Sequence, residues 1–464
     1  MSRHKIGPRT SDIIIVGGRV ARCATTVAFS KQGRTVVLLE KSLAQPERVV
    51  GELLQPGGVR ALHSLGIGGC LRNIDAVPCH GYRVSYFKES VNIPYPDDPD
   101  APGERPEGCS FQHGRFIQNL RQAAANAPNV TVVEAKATDL LRDEDTGKVI
   151  GVLACSAGIV KRLQSLTIIC DGYVSTFRKG YLPNKPSSQS KFWALEMIDA
   201  KLPEPYYGHV FLSDAPPILV YQISPRQTRI FMDVPTGLPS ASPAAGGIKA
   251  HMLDVVLPSL PSGCQDSFRE AVARGKFRSM PNSFLPPSEQ KVPGLLFLGD
   301  ALNMRHPLTG GGMTVAFNDV LLSSKLLAPG NVPSLDDSRA VLQRIGRFHW
   351  ARKRSSSLIN ILAMALYALF AAEDTRLAAL KTGCFRYFQS GGQCKEEPCG
   401  MLAGLIGSPW VLVYHFFAVA FYSVWLVLAE APIWKIPYEV VGATLIIWNA
   451  CCVIGPYLIW ELMP

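Results

Sequence analysis

Near its C-terminus the chain carries two runs without Asp, Glu, Lys or Arg: Trp410–Ala429, 20 residues, and Val440–Trp460, 21 residues. At about 1.5 Å per helical residue, each is long enough to cross a hydrocarbon core of about 30 Å. Tyr and Trp cluster near both runs, as interfacial anchors do. The competing reading is a pair of helices buried in a soluble core. Asn449 and the Gly455-Pro456 pair interrupt the second run, so a spanning helix and a monotopic hairpin both stay open. Ser356–Ala372 is a third apolar helix able to dock beside them. Met1–Thr10 is polar and the first apolar run begins at Ile13, so membrane attachment is expected at the C-terminal end.

Composition removes several classes. With 47% hydrophobic and 18% charged residues over 464 positions, the chain is globular, large enough for about three domain-sized units or one large two-domain enzyme. Its 47 Lys and Arg against 37 Asp and Glu leave a charge of +10. No basic block is interleaved with aromatics, which favours an acidic membrane surface over nucleic acid as partner. Twelve scattered cysteines fit reduced thiols rather than a secreted disulfide framework. Cys394, Cys399 and the adjacent Cys451-Cys452 lack the paired spacing and histidines of a zinc site, so no metal is assigned. No nucleophile elbow or Walker loop is present.

Between the termini the pattern alternates. Asp12–Val16 reads as a buried strand, Val20–Gln32 as a helix and Thr35–Glu40 as a strand, the βαβ beginning of a parallel sheet. Phe116–Asn126 reads as a helix; Val130–Glu134, Leu166–Cys170 and Leu295–Leu298 read as further strands. Ser190–Val234 breaks into short β-rich runs at Pro203, Pro205, Pro216 and Pro217, which points to an antiparallel sheet. Pro235–Gly246 reads as a loop and Ala250–Lys276 as helical.

The turn after the first strand is Gly17-Gly18-Arg19-Val20-Ala21-Arg22. A dinucleotide fold places G-x-G-x-x-G there, so that backbone amides and a helix N-terminus meet a pyrophosphate. Gly17 holds the first glycine position, but Arg19 and Arg22 replace the other two. Glu40 ends the second strand 23 residues after Gly17, near the spacing at which a carboxylate binds a ribose hydroxyl. Gly51–Gly58 (GELLQPGG) permits close backbone approach to a flat ligand. Two later segments are more specific. Asp171–Arg178 has the form D-G-x-x-S-x-x-R, and Gly299-Asp300 leads into His306-Pro307-Leu308-Thr309-Gly310-Gly311-Gly312-Met313. An Asp at a strand end can accept a ribitol hydroxyl, and the glycines place amides beside a pyrophosphate or flavin ring. His306 has no acid partner in the sequence and reads as a structural or loop-packing residue.

With these segments the sequence resembles the squalene monooxygenase (squalene epoxidase) family of FAD-dependent monooxygenases. The resemblance runs from about Ser11 to the C-terminus. It is carried by Val50–Gly58 (VGELLQPGG), His113–Ile117 (HGRFI), Arg278–Pro281 (RSMP), Asn303–Val315 (NMRHPLTGGGMTV) and His415–Tyr422 (HFFAVAFY). It implies an α/β fold of the hydroxybenzoate-hydroxylase-like type. A discontinuous FAD-binding Rossmann-like domain (1–75, 110–185, 278–330) would interleave with an antiparallel β-sheet substrate domain (76–109, 186–277). A helical membrane-associated region (331–464) would follow. Carried over by position, the resemblance implies FAD contacts at Val20 and Ala21, with Glu40 and Lys41 at the adenosine end. Arg48 and Leu53 match the next loop, Arg121 and Ala137 match positions around the third sheet strand, and Asp300 and Met313 match the ribitol, pyrophosphate and ring. Tyr82 corresponds to the family's active-site tyrosine, which supports the groups around flavin and substrate.

The activity so implied is epoxidation of squalene to (3S)-2,3-oxidosqualene for sterol or triterpenoid synthesis. It would use O2, FAD and an external NADPH-dependent microsomal diflavin reductase, at the endoplasmic reticulum membrane. Family members normally carry a complete glycine fingerprint and an Arg where Lys41 stands. Two alternatives stay open: an epoxidase of another prenyl or meroterpenoid substrate and, motivated by Arg19 and Arg22, a non-catalytic paralogue with weakened FAD binding. On steric grounds a long side chain at position 22 should prise the helix from the sheet unless it snorkels outward. Retention of yellow flavin absorbance through purification should be greater in the Arg19→Gly/Arg22→Gly double variant than in the wild type.

Overall fold

The computed structural model describes residues 11–17, 20–98, 101, 103–156, 159–213, 215–371 and 375–462. Arg19 lies outside them. Ile13–Gly17, Val36–Glu40 and Leu166–Cys170 are runs of aliphatic residues with nearly every side chain buried. Strands apolar on both faces suit the middle of a parallel sheet covered by helices. The five-stranded sheet runs Leu295–Phe297, Leu166–Cys170, Ile13–Gly17, Val36–Glu40, Val130–Glu134, with every neighbouring pair parallel. The Val20–Ser30 helix packs between that sheet and the His113–Ala125 and Gly312–Leu326 helices.

A second sheet has seven strands, ordered Arg278–Phe284, Ser187–Ile198, Gln227–Pro235, Ile218–Gln222, Gly208–Leu212, Gly81–Tyr86 and Glu89–Pro94. The expected antiparallel pattern holds except between Gly208–Leu212 and Gly81–Tyr86, which run parallel. These two strands come from separate insertions, so no hairpin turn imposes opposite directions on them. Arg278–Phe284 pairs with Ser187–Ile198. That places 278–284 in the seven-stranded sheet, whereas the sequence division groups 278–330 with the segments of the parallel-sheet domain.

The expected helix over Ala250–Lys276 is broken. Leu260 is extended at φ −87°, ψ 147°, and a new helix starts at Ser262 and runs to Arg274. Pro261 causes the break, because its ring disfavours helical backbone at the residue before it. The Ser356–Ala372 expectation captured half of a longer helix, Ser338–Phe370, whose N-terminus is capped by the Asp337 carboxylate accepting from the Arg339 and Ala340 amides.

The two C-terminal runs form helices Pro409–Glu430 and Ile436–Leu462. Their mean hydropathies are 2.0 and 1.6, and only 22% of each apolar window is buried. A core helix would be covered, whereas Trp410, Trp425, Trp434, Trp448 and Trp460 all stand exposed. Both helices are long and apolar enough to cross a membrane.

A buried polar network joins this tail to Asn303 and the Gly312–Leu326 helix. Arg352 forks onto Asp319 at 2.9 and 2.8 Å and donates to Asn303 Oδ1 at 3.2 Å. Asn360 donates to the same Asn303 oxygen at 3.1 Å and to Glu461 Oε1 at 2.7 Å. Ser357 donates to the second Glu461 oxygen at 2.7 Å. Removing one member of a buried ion pair strands the other, at about 3–5 kcal/mol. Arg352→Met should therefore lower the unfolding midpoint in detergent far more than Arg352→Met combined with Asp319→Leu; equal losses would show that the pair is not the cause.

Candidate active site

The carboxyl ends of the parallel strands deliver the sequence motifs to one edge. Gly17 ends the first strand at φ +139°, and a Cβ there would lie 2.3 Å from the Cys170 carbonyl oxygen, so only glycine fits between these strand ends. After Cys170, Asp171 Oδ2 accepts from the Thr176 amide at 2.9 Å, while its Oδ1 is buried without a partner among the described residues. Arg178, the last residue of the D-G-x-x-S-x-x-R motif, donates to the Tyr173 carbonyl at 2.8 Å and the Asp300 carbonyl at 3.1 Å. One guanidinium thus clamps the two motif loops together.

These loops wall a cavity with about 1380 Å³ of unfilled space, part of it continuous with solvent. Of the site residues expected from sequence, Val20, Ala21, Arg48, Leu53, Tyr82, Asp300 and Met313 line it. Gly172, Gly299, Gly310 and Gly312 line it too, and the last begins the Gly312–Leu326 helix. Bare backbone and a helix start beside an orphaned Asp171 oxygen fit the ribitol, phosphate and ring portions of a flavin nucleotide.

At the far wall Tyr82 is locked in place. Its hydroxyl accepts from Gln55 Nε2 at 2.7 Å and donates to the Thr309 carbonyl at 3.0 Å. Gln55 Oε1 in turn accepts from Tyr95 at 2.6 Å. Burial pushes the Tyr82 phenol well above its usual range, so it stays neutral. Arg305 also faces the cavity, bonded to the Asn303 carbonyl and side chain at 3.1 and 2.7 Å. Among the described residues no carboxylate lies within ion-pairing distance of it. Burial lowers it to about 10, which leaves it a cation at neutral pH.

His306, expected without an acid, has a carboxylate nearby, but its Nε2 makes no hydrogen bond among the described residues. Its Nε2 lies 3.8 Å from Asp233 Oδ1, its Nδ1 accepts from the Leu308 amide at 3.2 Å, and its ring stacks on Tyr367 at 3.7 Å. Burial pushes the imidazole down, so it is neutral. No motif links Asp233 to His306; the pairing of sheet and loop does.

The other expected residues lie apart from the cavity. Lys41 is exposed just past its strand, and Ala137 pairs with Ala154 in a small three-stranded sheet. Glu40 is buried and bonded to both Arg22 and Arg121. Arg22 neither prises the helix away nor snorkels: it is fully buried, and every residue of the Val20–Ser30 helix stays buried with it. The carboxylate accounts for this, since it gives the long side chain a partner at the sheet edge.

A second cavity, about 1190 Å³, meets the first at Tyr82, Val210 and Leu308. Its walls include Leu362, Leu366, Phe370, Leu412, Phe416 and Ile454 from the C-terminal helices, and Lys395 is the one Asp, Glu, Lys or Arg among its described lining residues.

Residues 163–441 match the family model described as squalene epoxidase. The chain is 53% identical to the squalene epoxidase of Aspergillus fumigatus, over 97% of this chain and 94% of that relative. The chain belongs to the squalene epoxidase family. Identity to the squalene epoxidase of Saccharomyces cerevisiae is 41%, over 98% of this chain and 96% of that one. The squalene monooxygenase of Mus musculus is 40% identical, over 97% of this chain and 78% of the relative. Among solved structures, the flavin-dependent brominase Bmp2 superposes with a TM-score of 0.69 at 16% identity, over 89% of this chain and 98% of that one. The p-nitrophenol 4-monooxygenase PnpA of Pseudomonas putida gives 0.66 at 17% identity, over 85% and 98%. Both carry the flavin-monooxygenase type of fold, which this squalene epoxidase family member shares.

The sequence reading passed over several residues of this family member's site. Gln55 sits inside the VGELLQPGG string, where its place next to Pro56 was the available signal. Arg305 lies within NMRHPLTGGG. His209 carried no signal, yet it lines the first cavity. Its Nδ1 donates to the Tyr207 carbonyl at 3.0 Å and its Nε2 accepts from the Glu204 amide at 3.4 Å, an arrangement only the neutral ring makes. Burial lowers His209 to about 4, and His349 likewise. Below the ordinary histidine value of about 6.5 the unfolded chain gains protons that the folded chain refuses until about pH 4. Stability should therefore fall as pH drops through that window, by up to about 3 kcal/mol per histidine. His209→Gln should flatten the dependence of the unfolding midpoint on pH; an unchanged slope would remove His209 as a source.

Proposed function

We propose that the chain epoxidises squalene to (3S)-2,3-oxidosqualene at the endoplasmic reticulum membrane. O2 is the oxidant, and the electrons come from an NADPH-dependent diflavin reductase. The observation that carries the reading is the shared wall of Tyr82, Val210 and Leu308, on one side of which lies a glycine-walled cradle and on the other an apolar cavity lined by the C-terminal helices. Family membership and the fold support it. Val20, Ala21, Asp300 and Met313 and the glycines beside them would hold FAD, which would supply the redox chemistry that activates oxygen for transfer to an alkene.

The chain's own groups bind, orient and exclude water. An unfunctionalised polyene offers no acidic or basic handle, so selectivity comes from the shape of an apolar cavity. Leu362, Leu366, Phe370 and Leu412 supply that shape. Tyr82, braced by Gln55 and the Thr309 carbonyl, fixes the wall between the two cavities. The Arg305 cation and the helix start at Gly312 place positive potential along the cradle. The exposed tryptophans of the C-terminal helices set the apolar cavity at the bilayer, where such a substrate partitions.

The decisive test is turnover in nanodiscs with squalene, FAD, NADPH and the microsomal reductase, reading 2,3-oxidosqualene by mass spectrometry. Absence of product with flavin bound would refute the substrate. Tyr82→Phe removes one of the two bonds Gln55 Nε2 donates, the other going to the Thr309 carbonyl at 2.9 Å, and loosens the wall that positions the substrate, so kcat should fall about tenfold to a hundredfold. Flavin affinity should be unchanged; a wild-type rate would show that the brace is dispensable.

A further inference from the structure

The turn that departs from the glycine fingerprint has been rebuilt around Glu40. Arg22 is 0% exposed, and its Nη1 donates to both the Gly17 carbonyl and Glu40 Oε2. Arg121 Nη2 donates to the same Glu40 oxygen at 3.0 Å and to the Ser42 carbonyl at 3.1 Å. The Arg22 Nε is buried without a partner among the described residues. In a dinucleotide fold the acid at the end of the second strand takes the ribose hydroxyls, while the third fingerprint glycine lets the helix pack closely on its strand. Here the acid stands in its usual place, but a guanidinium from that third position reaches it across the helix–strand contact and holds it. The cavity agrees: its described lining reaches Val20 and Ala21 and includes neither Glu40 nor Arg121.

We propose that Arg22 is a specificity-determining residue that withholds Glu40, the acid of the adenosine-ribose position, from a bound nucleotide. The chain then grips a flavin nucleotide by its ring, ribitol and adjoining phosphate. The adenosine half of FAD binds only by displacing Arg22 from Glu40. Displacement is costly because it strands a buried cation, whereas Glu40 keeps Arg121. This rests on the flavin reading of the cavity, and it predicts a chain that has lost most of the usual advantage of FAD over FMN.

The test uses the full chain in nanodiscs, titrated with FAD, FMN and ADP by flavin fluorescence and calorimetry. Arg22→Gly and Arg22→Ala should bind FAD about tenfold to a hundredfold more tightly than wild type, the range a buried pair can impose. FMN affinity should change by less than about twofold, and ADP should bind the variants but not the wild type. Adding Glu40→Gln to Arg22→Gly should abolish the gain. Unchanged or weaker FAD binding in the variants overturns the proposal, as does ADP binding the wild type as well as the variants. Should neither variant fold, the wild type alone decides: FAD binding more than about tenfold tighter than FMN overturns it. A variant that gains FAD but converts no squalene defeats the epoxidase reading and leaves this one standing; squalene turnover with unchanged FAD affinity does the reverse.

Discussion

A parallel sheet ends every strand on the same edge, and the site is a consequence of that constraint. The crossovers after Ile13–Gly17, Val36–Glu40 and Leu166–Cys170 all leave from one side, so motifs more than a hundred residues apart become neighbours. The tightest point is Gly17 against the Cys170 carbonyl, where no side chain fits. Arg178 then ties the Asp171 and Asp300 loops to each other. Backbone carbonyls are the partners, so the clamp depends on loop shape more than on which side chains the loops carry.

The C-terminal helices serve two surfaces at once. Inward, they wall the apolar cavity; outward, they present tryptophans that a soluble protein would cover. A chain of buried hydrogen bonds runs from Glu461 through Asn360 and Asn303 to Arg305 at the cavity wall. The apolar tail and the Asn303–Arg305 loop at the wall of the first cavity are therefore held by one polar network, and a shift of the tail cannot leave that loop undisturbed.

Much of the fold was legible because its signals are local. Buried strands such as Leu166–Cys170 are continuous apolar runs, and the helices Pro409–Glu430 and Ile436–Leu462 announce themselves by length and absence of charge. Asp300 and Met313 were expected at one site because each sits in a motif at a strand end or helix start, and both line the first cavity. The rest depended on distant partners. The parallel pairing of Gly81–Tyr86 with Gly208–Leu212, and the meeting of His306 with Asp233, join segments with no pattern linking them.

Position 22 shows where that line falls. Its sequence determined that a glycine was missing and that a carboxylate waited at Glu40, and ordinary sterics then implied a helix pushed off its sheet. Tertiary structure decided otherwise, because burial makes an unpaired guanidinium and an unpaired carboxylate each too costly, and the two ends of the βαβ unit lie close enough for one to satisfy the other. Composition and periodicity can say which residues must be hidden. Only the assembled sheet can say which hidden charges will find one another, since that depends on distances set by strand order rather than by spacing along the chain.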